Sequence, residues 1–133
     1  MKTHSISRVA SFILVGSCAA AVHLATVILL VKQFSWNPIL ANPVAWLIAF
    51  GVSFSGHWWF TFKDRQKNLK DSFIRFFCLS AAGFLVNELL YATLLGITLI
   101  RFDIILAGVL VLVAIATYVL SSVWAFAGNS KPR

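Results

Sequence analysis

Residues 55–70 read SGHWWFTFKDRQKNLK, and their placement decides the fold. Apolar sequence runs up to them. A histidine and two adjacent tryptophans follow, then Lys63, Arg65, Lys67 and Lys70. Paired indoles beside clustered cations are what a helix leaving a bilayer presents: the amphipathic rings settle at head-group level and the cations beyond meet anionic lipid. The stretch reads as the exit of one membrane-spanning helix, followed by a basic segment between two halves of the chain.

Composition points the same way. Of 133 residues, 60% are hydrophobic and 11% charged, and the mean hydropathy is +0.90. Soluble domains carry roughly a quarter charged residues. This chain cannot cover its apolar surface with polar groups, so lipid is the expected solvent. The formal charge is +7. Because the cations cluster between apolar runs, anionic inner-leaflet lipids rather than nucleic acid are the expected partner. Cys18 and Cys78 lie inside apolar runs, with neither disulfide-framework nor metal-ligand spacing, and read as buried small hydrophobes. No metal or cofactor is expected.

Four apolar runs, at about 9–31, 39–62, 73–99 and 104–126, each exceed the ~20 helical residues that span a ~30 Å hydrocarbon core. The first is too long for a signal-peptide core and continues past its small-residue stretch. With no water to pair backbone groups inside lipid, helices are the default. The expected fold is an all-α integral membrane domain over residues 1–133, with four transmembrane helices and a basic loop at 63–72.

Orientation follows from Lys and Arg. Lys2, Arg8, Lys63, Arg65, Lys67, Lys70, Arg75, Lys131 and Arg133 lie at the termini and in the middle segment; only Lys32 and Arg101 lie in the other connections. The positive-inside rule then puts both termini and the middle loop in the cytoplasm. In KQFSWNPI (32–39), Asn37–Pro38 reads as an N-cap with proline at the first helical position. Pro43 leaves a second start open at Asn42–Pro43, with 39–41 as an irregular lead-in.

The halves align without gaps at an offset of 64. SFILVGS (11–17) falls on RFFCLSA (75–81), and VSFSGHWWFTF (52–62) on ATYVLSSVWAF (116–126). His23 falls on Asn87 and His57 on Ser121. The pattern predicts two parallel two-helix repeats about an axis along the membrane normal.

FILVG (12–16), opening helix 1, and SFSGHWWFTFK (53–63), closing helix 2, resemble the motifs of the GtrA-like family, and SSVWAF (121–126) is similar to its closing motif. The resemblance covers nearly the whole chain. It implies a small inner-membrane protein of bacteria that moves a polyprenyl-phosphate-linked sugar between leaflets for cell-surface polysaccharide synthesis or glycosylation. Similar domains also anchor polyprenyl-phosphate glycosyltransferases. The sequence departs from the family at two places: His23 stands where members often carry an acid, and His57-Trp58-Trp59 where they often carry Asn-Arg-Arg.

Polar residues within the spans are the candidate site, because each is expensive in lipid. Glu88, with His23 and Asn87, forms an expected intramembrane polar path. For Glu88 two roles are open: a proton-coupling or sugar-binding carboxylate, or a hydrogen-bonded packing residue. A pairing of His23 with Glu88 or Asn87 is expected at similar depth. His57, Lys63, Arg65 and Arg75 are the expected phosphate and head-group contacts, against ordinary snorkelling cations. Trp58, Trp59 and Trp124 are expected at the interface, as belt residues or as platforms for a sugar. Small residues, among them Gly16, Ala19, Ala45, Ala49 and Gly51, are expected where helices approach closely.

No paired carboxylates, phosphate-binding glycine loop or metal cluster stands in the sequence, so an enzyme is not expected; a separate membrane glycosyltransferase is expected to load the lipid. Two alternatives to translocation are kept: an anchor or adaptor for that glycosyltransferase, and a small proton-coupled multidrug exporter. The exporter class usually carries its Glu in the first helix, whereas this one is in the third. The small size of one bundle favours a homo-oligomer, expected to be a dimer.

Overall fold

The computed structural model describes residues 2–61 and 68–127. Four helices follow in order: α1 (Lys2–Phe34), α2 (Pro38–Gly56) continuing into a π-helical turn at His57–Thr61, α3 (Leu69–Ile97) and α4 (Phe102–Ala127). Among the described residues, three apolar segments are long enough to cross a membrane, Val9–Phe34, Pro38–Phe60 and Leu69–Ile97, and α4 is apolar over Phe102–Ala116. Helix neighbours in sequence pack together and α1 also meets α4, which closes the bundle into a ring. One end carries the tight turns at 35–37 and 98–101; the other carries the basic segment.

α1 and α4 overrun their expected spans at both ends and α3 starts early but stops at Ile97, because hydrophobicity marks the lipid-facing core and says nothing of the polar turns at its edges. At α2 the choice of start resolves to Pro38. The Asn37 side chain accepts the Ile39 N–H at 2.9 Å, and the Asn37 carbonyl accepts from Ala41. Pro43 lies inside the helix, where its missing N–H removes one bond to the Ile39 carbonyl. There is no irregular lead-in at 39–41. At α3 the start lies earlier than the expected residue 73. Asn68 caps it, accepting from the Lys70 N–H at 3.0 Å, and Asp71 stands in the first turn, a favourable place for an anion. Lys70 and Arg75 are therefore helical residues of α3, not loop residues.

Burial follows helical spacing. α1 buries Val15, Ala19, His23 and Val27, every fourth residue. α2 buries Ala41, Asn42, Ala45, Ala49 and Phe50, α3 Asn87 and Tyr91, and α4 Ile105, Leu106 and Val109. The apolar core joins Val27, Ala41, Ala45, Tyr91, Ile105, Leu106 and Val109 in the half nearer the tight turns. Outward faces are strongly apolar, with Leu79 and Leu89 about 70% exposed, the pattern of a bundle whose solvent is lipid.

The half nearer the basic segment is held by aromatic rings. Trp46, Phe50 and Phe54 of α2 and Trp58 of the π-helical turn that continues it recur every four residues. Phe50 and Phe54 both pack on Phe73 and Phe76 of α3. Trp46 stacks on Phe84, centroids 4.8 Å apart, and donates Nε1–H to Ser80 Oγ at 3.1 Å. Each such ring pair adds about 0.5–1.5 kcal/mol beyond area burial.

Two expectations about small residues change. Ala19, Ala45 and Ala49 are buried, but a Cβ added at Gly16 or Gly51 would meet nothing within 4 Å. The close approach is at Gly56 instead, where a Cβ would lie 2.7 Å from Val15 Cγ1. Cys18 and Cys78 are exposed on outward faces, not buried; in lipid, the outer face accepts a small hydrophobe as readily as the core.

Candidate functional site

The inward stripe of α1 brings His23 to the centre of the bundle, where it is 5% exposed. Opposite it, α2 places Asn42, which is fully buried. His23 Nε2 lies 2.6 Å from Asn42 Oδ1. An amide oxygen only accepts, so His23 donates from Nε2. The other side of the same amide faces α3. Asn42 Nδ2 donates to Asn87 Oδ1 at 3.0 Å and to Glu88 Oε2 at 2.5 Å. One side chain thus ties three helices together.

Physical chemistry requires such closure. A buried amide without partners costs roughly 2–7 kcal/mol, and a lone carboxylate far more. Asn42 uses both amide protons and one oxygen lone pair, nearly its full capacity. Glu88 is half-buried and points about 100° away from Asn87 around the helix, as neighbours in sequence do. It nonetheless joins the cluster because Asn42 reaches both.

The cluster is not fully satisfied. Among the described residues, Asn87 Nδ2 and the Tyr91 hydroxyl are buried without a hydrogen-bond partner. Tyr91 is one turn beyond Asn87 on the same face of α3. Each buried orphan costs about 1–3 kcal/mol. The cluster and its neighbour Tyr91 thus combine two unpaired donors with a carboxylate and an imidazole.

His23, Asn87 and Glu88, the three residues expected to form a polar path, are thus brought together. Among the described residues His23 is joined to Asn87 and Glu88 by hydrogen bonds that run through Asn42. Asn42 was hidden in the sequence by Pro43, which makes it look like a cap. The available signal was that Asn42 and Asn87 are the only asparagines within the expected spans.

Of the expected head-group residues, only His57 and Arg75 fall among the described ones. Lys63 and Arg65 lie outside the described residues. Arg75 is exposed on α3. His57 is 4% exposed and turned inward, stacked on Phe12 with centroids 4.7 Å apart and edge-on to Phe76. It takes part in an aromatic layer at this end of the bundle. The π-helical turn at 57–61 changes the register of the side chains there. Trp59 is 66% exposed and fits an interfacial position. Trp58 is half-buried on Phe54, and the Trp124 side chain lies outside the described residues.

Membrane-length apolar helices enclosing a hydrogen-bonded polar cluster define a multi-pass integral membrane protein. The family model described as GtrA/DPMS, transmembrane domain, matches residues 11–126. The chain belongs to that family. Membership points to a part in membrane processes that involve polyprenyl-phosphate sugars. No curated protein and no solved structure gives a significant match.

Proposed function

We propose that the chain translocates a polyprenyl-phosphate-linked sugar across the bacterial inner membrane, for cell-surface polysaccharide synthesis or glycosylation. The observation that carries this reading is the Asn42-centred cluster, a buried polar site joining α1, α2 and α3. A sugar phosphate must cross ~30 Å of hydrocarbon. Polar groups inside the bundle replace part of its lost hydration while the prenyl tail stays in lipid. Nine of eleven cations favour a cytoplasmic basic end and cytoplasmic termini. In that orientation Lys63, Arg65 and Arg75 capture phosphate from the inner leaflet, among anionic lipids. Sugar hydroxyls then exchange into the site of His23, Asn42, Asn87 and Glu88. Trp58, Trp59 and Trp124 serve in this reading as interfacial residues or as platforms for the sugar. A partner glycosyltransferase loads the lipid, and the chain itself performs no bond chemistry.

Burial supports the parallel repeat at an offset of 64. His23 and Asn87 are buried at paired positions, as are Val27 and Tyr91, Ala41 and Ile105, Asn42 and Leu106, and Ala45 and Val109. A two-fold axis along the membrane normal relates such hairpins. A dimer is the proposed assembly, because one bundle of this size offers little interior. A second reading, an anchor for the glycosyltransferase, is favoured by the family description itself, which pairs GtrA with DPMS. The exporter is set aside: the acid of this chain is shared among three helices through Asn42.

The test is exchange of a fluorescent polyprenyl-phosphate sugar between leaflets of proteoliposomes, followed with a membrane-impermeant quencher. Exchange that depends on the protein and is lost in a folded Glu88→Gln variant supports translocation. No exchange by folded wild-type chain, together with stable co-purification of a glycosyltransferase, replaces it with the anchor.

A further inference from the structure

Tyr91 is fully buried, and its ring belongs to the apolar core with Val27, Leu106 and Val109. A phenylalanine would fill that core without a polar atom. The hydroxyl therefore needs a partner, as buried tyrosine hydroxyls ordinarily have, and among the described residues it has none. One turn earlier on α3, Asn87 is 4% exposed. Its Oδ1 is taken by Asn42, while its Nδ2 has no partner. Residues four apart on a helix are neighbours, and long helical side chains lean back over the preceding turn. That brings the Tyr91 hydroxyl toward the turn carrying Asn87 and Glu88. The Glu88 carboxylate acts electrostatically on this hydroxyl, more strongly than Asp103 of α4 does.

We propose that Asn87 Nδ2, the Tyr91 hydroxyl and the Glu88 carboxylate together hold one buried water inside the bundle. The chemistry of the three groups selects the occupant. Two N–H and O–H donors repel a cation. The neighbouring carboxylate repels an anion. Hydrocarbon would leave both donors unpaired. What fits is a small neutral oxygen that accepts two hydrogen bonds and donates one, and about three bonds is what a buried water typically makes. Glu88 has room to accept from it: a carboxylate offers about four lone-pair sites, and Asn42 takes one of them at Oε2. The water would extend the Asn42-centred network to the edge of the apolar core. This inference stands on burial and hydrogen-bonding capacity and requires no transport.

X-ray radiolysis tests this on the wild-type chain. The full-length protein is reconstituted in phosphatidylcholine nanodiscs without any lipid-linked sugar, so the only small hydroxyl source is water. Pulses of X-rays turn bound water into hydroxyl radicals, and mass spectrometry locates the oxidised residues. Tyr91 is expected to be oxidised although it has no exposed surface, and a membrane-impermeant radical scavenger should not protect it. Phe50, a buried ring of the aromatic layer, is the dry reference. Oxidation of Tyr91 no greater than that of Phe50 overturns the proposal. So does oxidation that the scavenger removes, since that reports access from bulk solvent. Asn87→Leu removes one donor and is expected to reduce the Tyr91 signal severalfold; an unchanged signal overturns the shared site. Stability gives a second readout with opposite signs for the two cases. If water satisfies the hydroxyl, Tyr91→Phe loses a hydrogen bond, and the unfolding constant should rise about fivefold. If the hydroxyl is a true orphan, the same change relieves its desolvation and the unfolding midpoint rises. A raised midpoint overturns the proposal.

Discussion

The α1–α2 hairpin and the α3–α4 hairpin bury corresponding positions with different chemistry. Asn42 in α2 and Leu106 in α4, 64 residues apart, are both fully buried. Leu106 joins an apolar core with Val27, Tyr91, Ile105 and Val109. Asn42 instead reaches His23 on one neighbour and Asn87 and Glu88 on the other. The two sites make the same packing demand, and only one answers it with hydrogen bonds. An apolar residue is therefore sufficient to close such a bundle. The amide at 42 does something that stability alone does not require, since replacing both partners of a buried polar pair by apolar groups is often nearly neutral.

Substitutions that exchange the two chemistries test this contrast. The largest expected effect is Asn42→Leu, which copies the Leu106 solution while leaving His23, Asn87 and Glu88 behind. Each of these three groups loses a partner at about 1–3 kcal/mol, so reversible unfolding in mixed micelles should show a loss of several kcal/mol. Adding Asn87→Leu should recover part of it; failure to recover any would mean that the cluster is not one network. The reciprocal change, Leu106→Asn, buries one unpartnered amide in an apolar core and is expected to cost about 1–3 kcal/mol on the mutational scale. A neutral outcome would mean that the two sites are less different than their surroundings indicate.

A smaller effect separates the glycines. Gly56→Ala drives a methyl into Val15, and overpacking costs about 1–3 kcal/mol against a helix-propensity gain of about 1 kcal/mol, so net destabilisation is expected. Gly51→Ala meets nothing within 4 Å and should be neutral or stabilising by up to about 1 kcal/mol. Equal unfolding midpoints for the two variants would contradict the close approach of α1 and α2. The smallest effect is at the α1–α2 turn, where Ser35 has φ 56° and Trp36 N–H closes on the Leu30 carbonyl at 3.1 Å. Ser35→Gly removes the left-handed strain of an L-residue, and a gain of about 0.5–1 kcal/mol is expected after the glycine entropy cost. Destabilisation instead would show that the serine side chain is needed in the turn.

Much of this was legible in residue order. Apolar length located the helices, and Asn37–Pro38 located the start of α2. The cost of polarity in lipid singled out His23, Asn87 and Glu88. What stayed hidden depended on rotation about helix axes. His57 lies three residues before Phe60, yet one turns into the bundle and the other is 73% exposed. Composition cannot tell these apart where every face is apolar. Gly16 and Gly51 looked like contact points for the same reason, and among the described glycines only Gly56 is one. Asn42 was masked by a stronger local pattern, Asn before Pro, and its role depends on three helices converging, which no spacing within α2 reports. The aromatic ladder of α2 was visible as a period of four, but its partners on α3 follow only from how the two helices pair.

The central claim is that function resides in the polar side of this comparison. The most direct measurement sets the leaflet-exchange rates of Asn42→Ala and Leu106→Ala side by side in proteoliposomes, each normalised to folded protein. Both substitutions truncate a fully buried side chain and both weaken the fold. The account predicts that exchange of the polyprenyl-phosphate sugar is lost with Asn42→Ala and retained with Leu106→Ala. Equal rates in the two variants would contradict it, and would leave the buried amide a structural tie between helices.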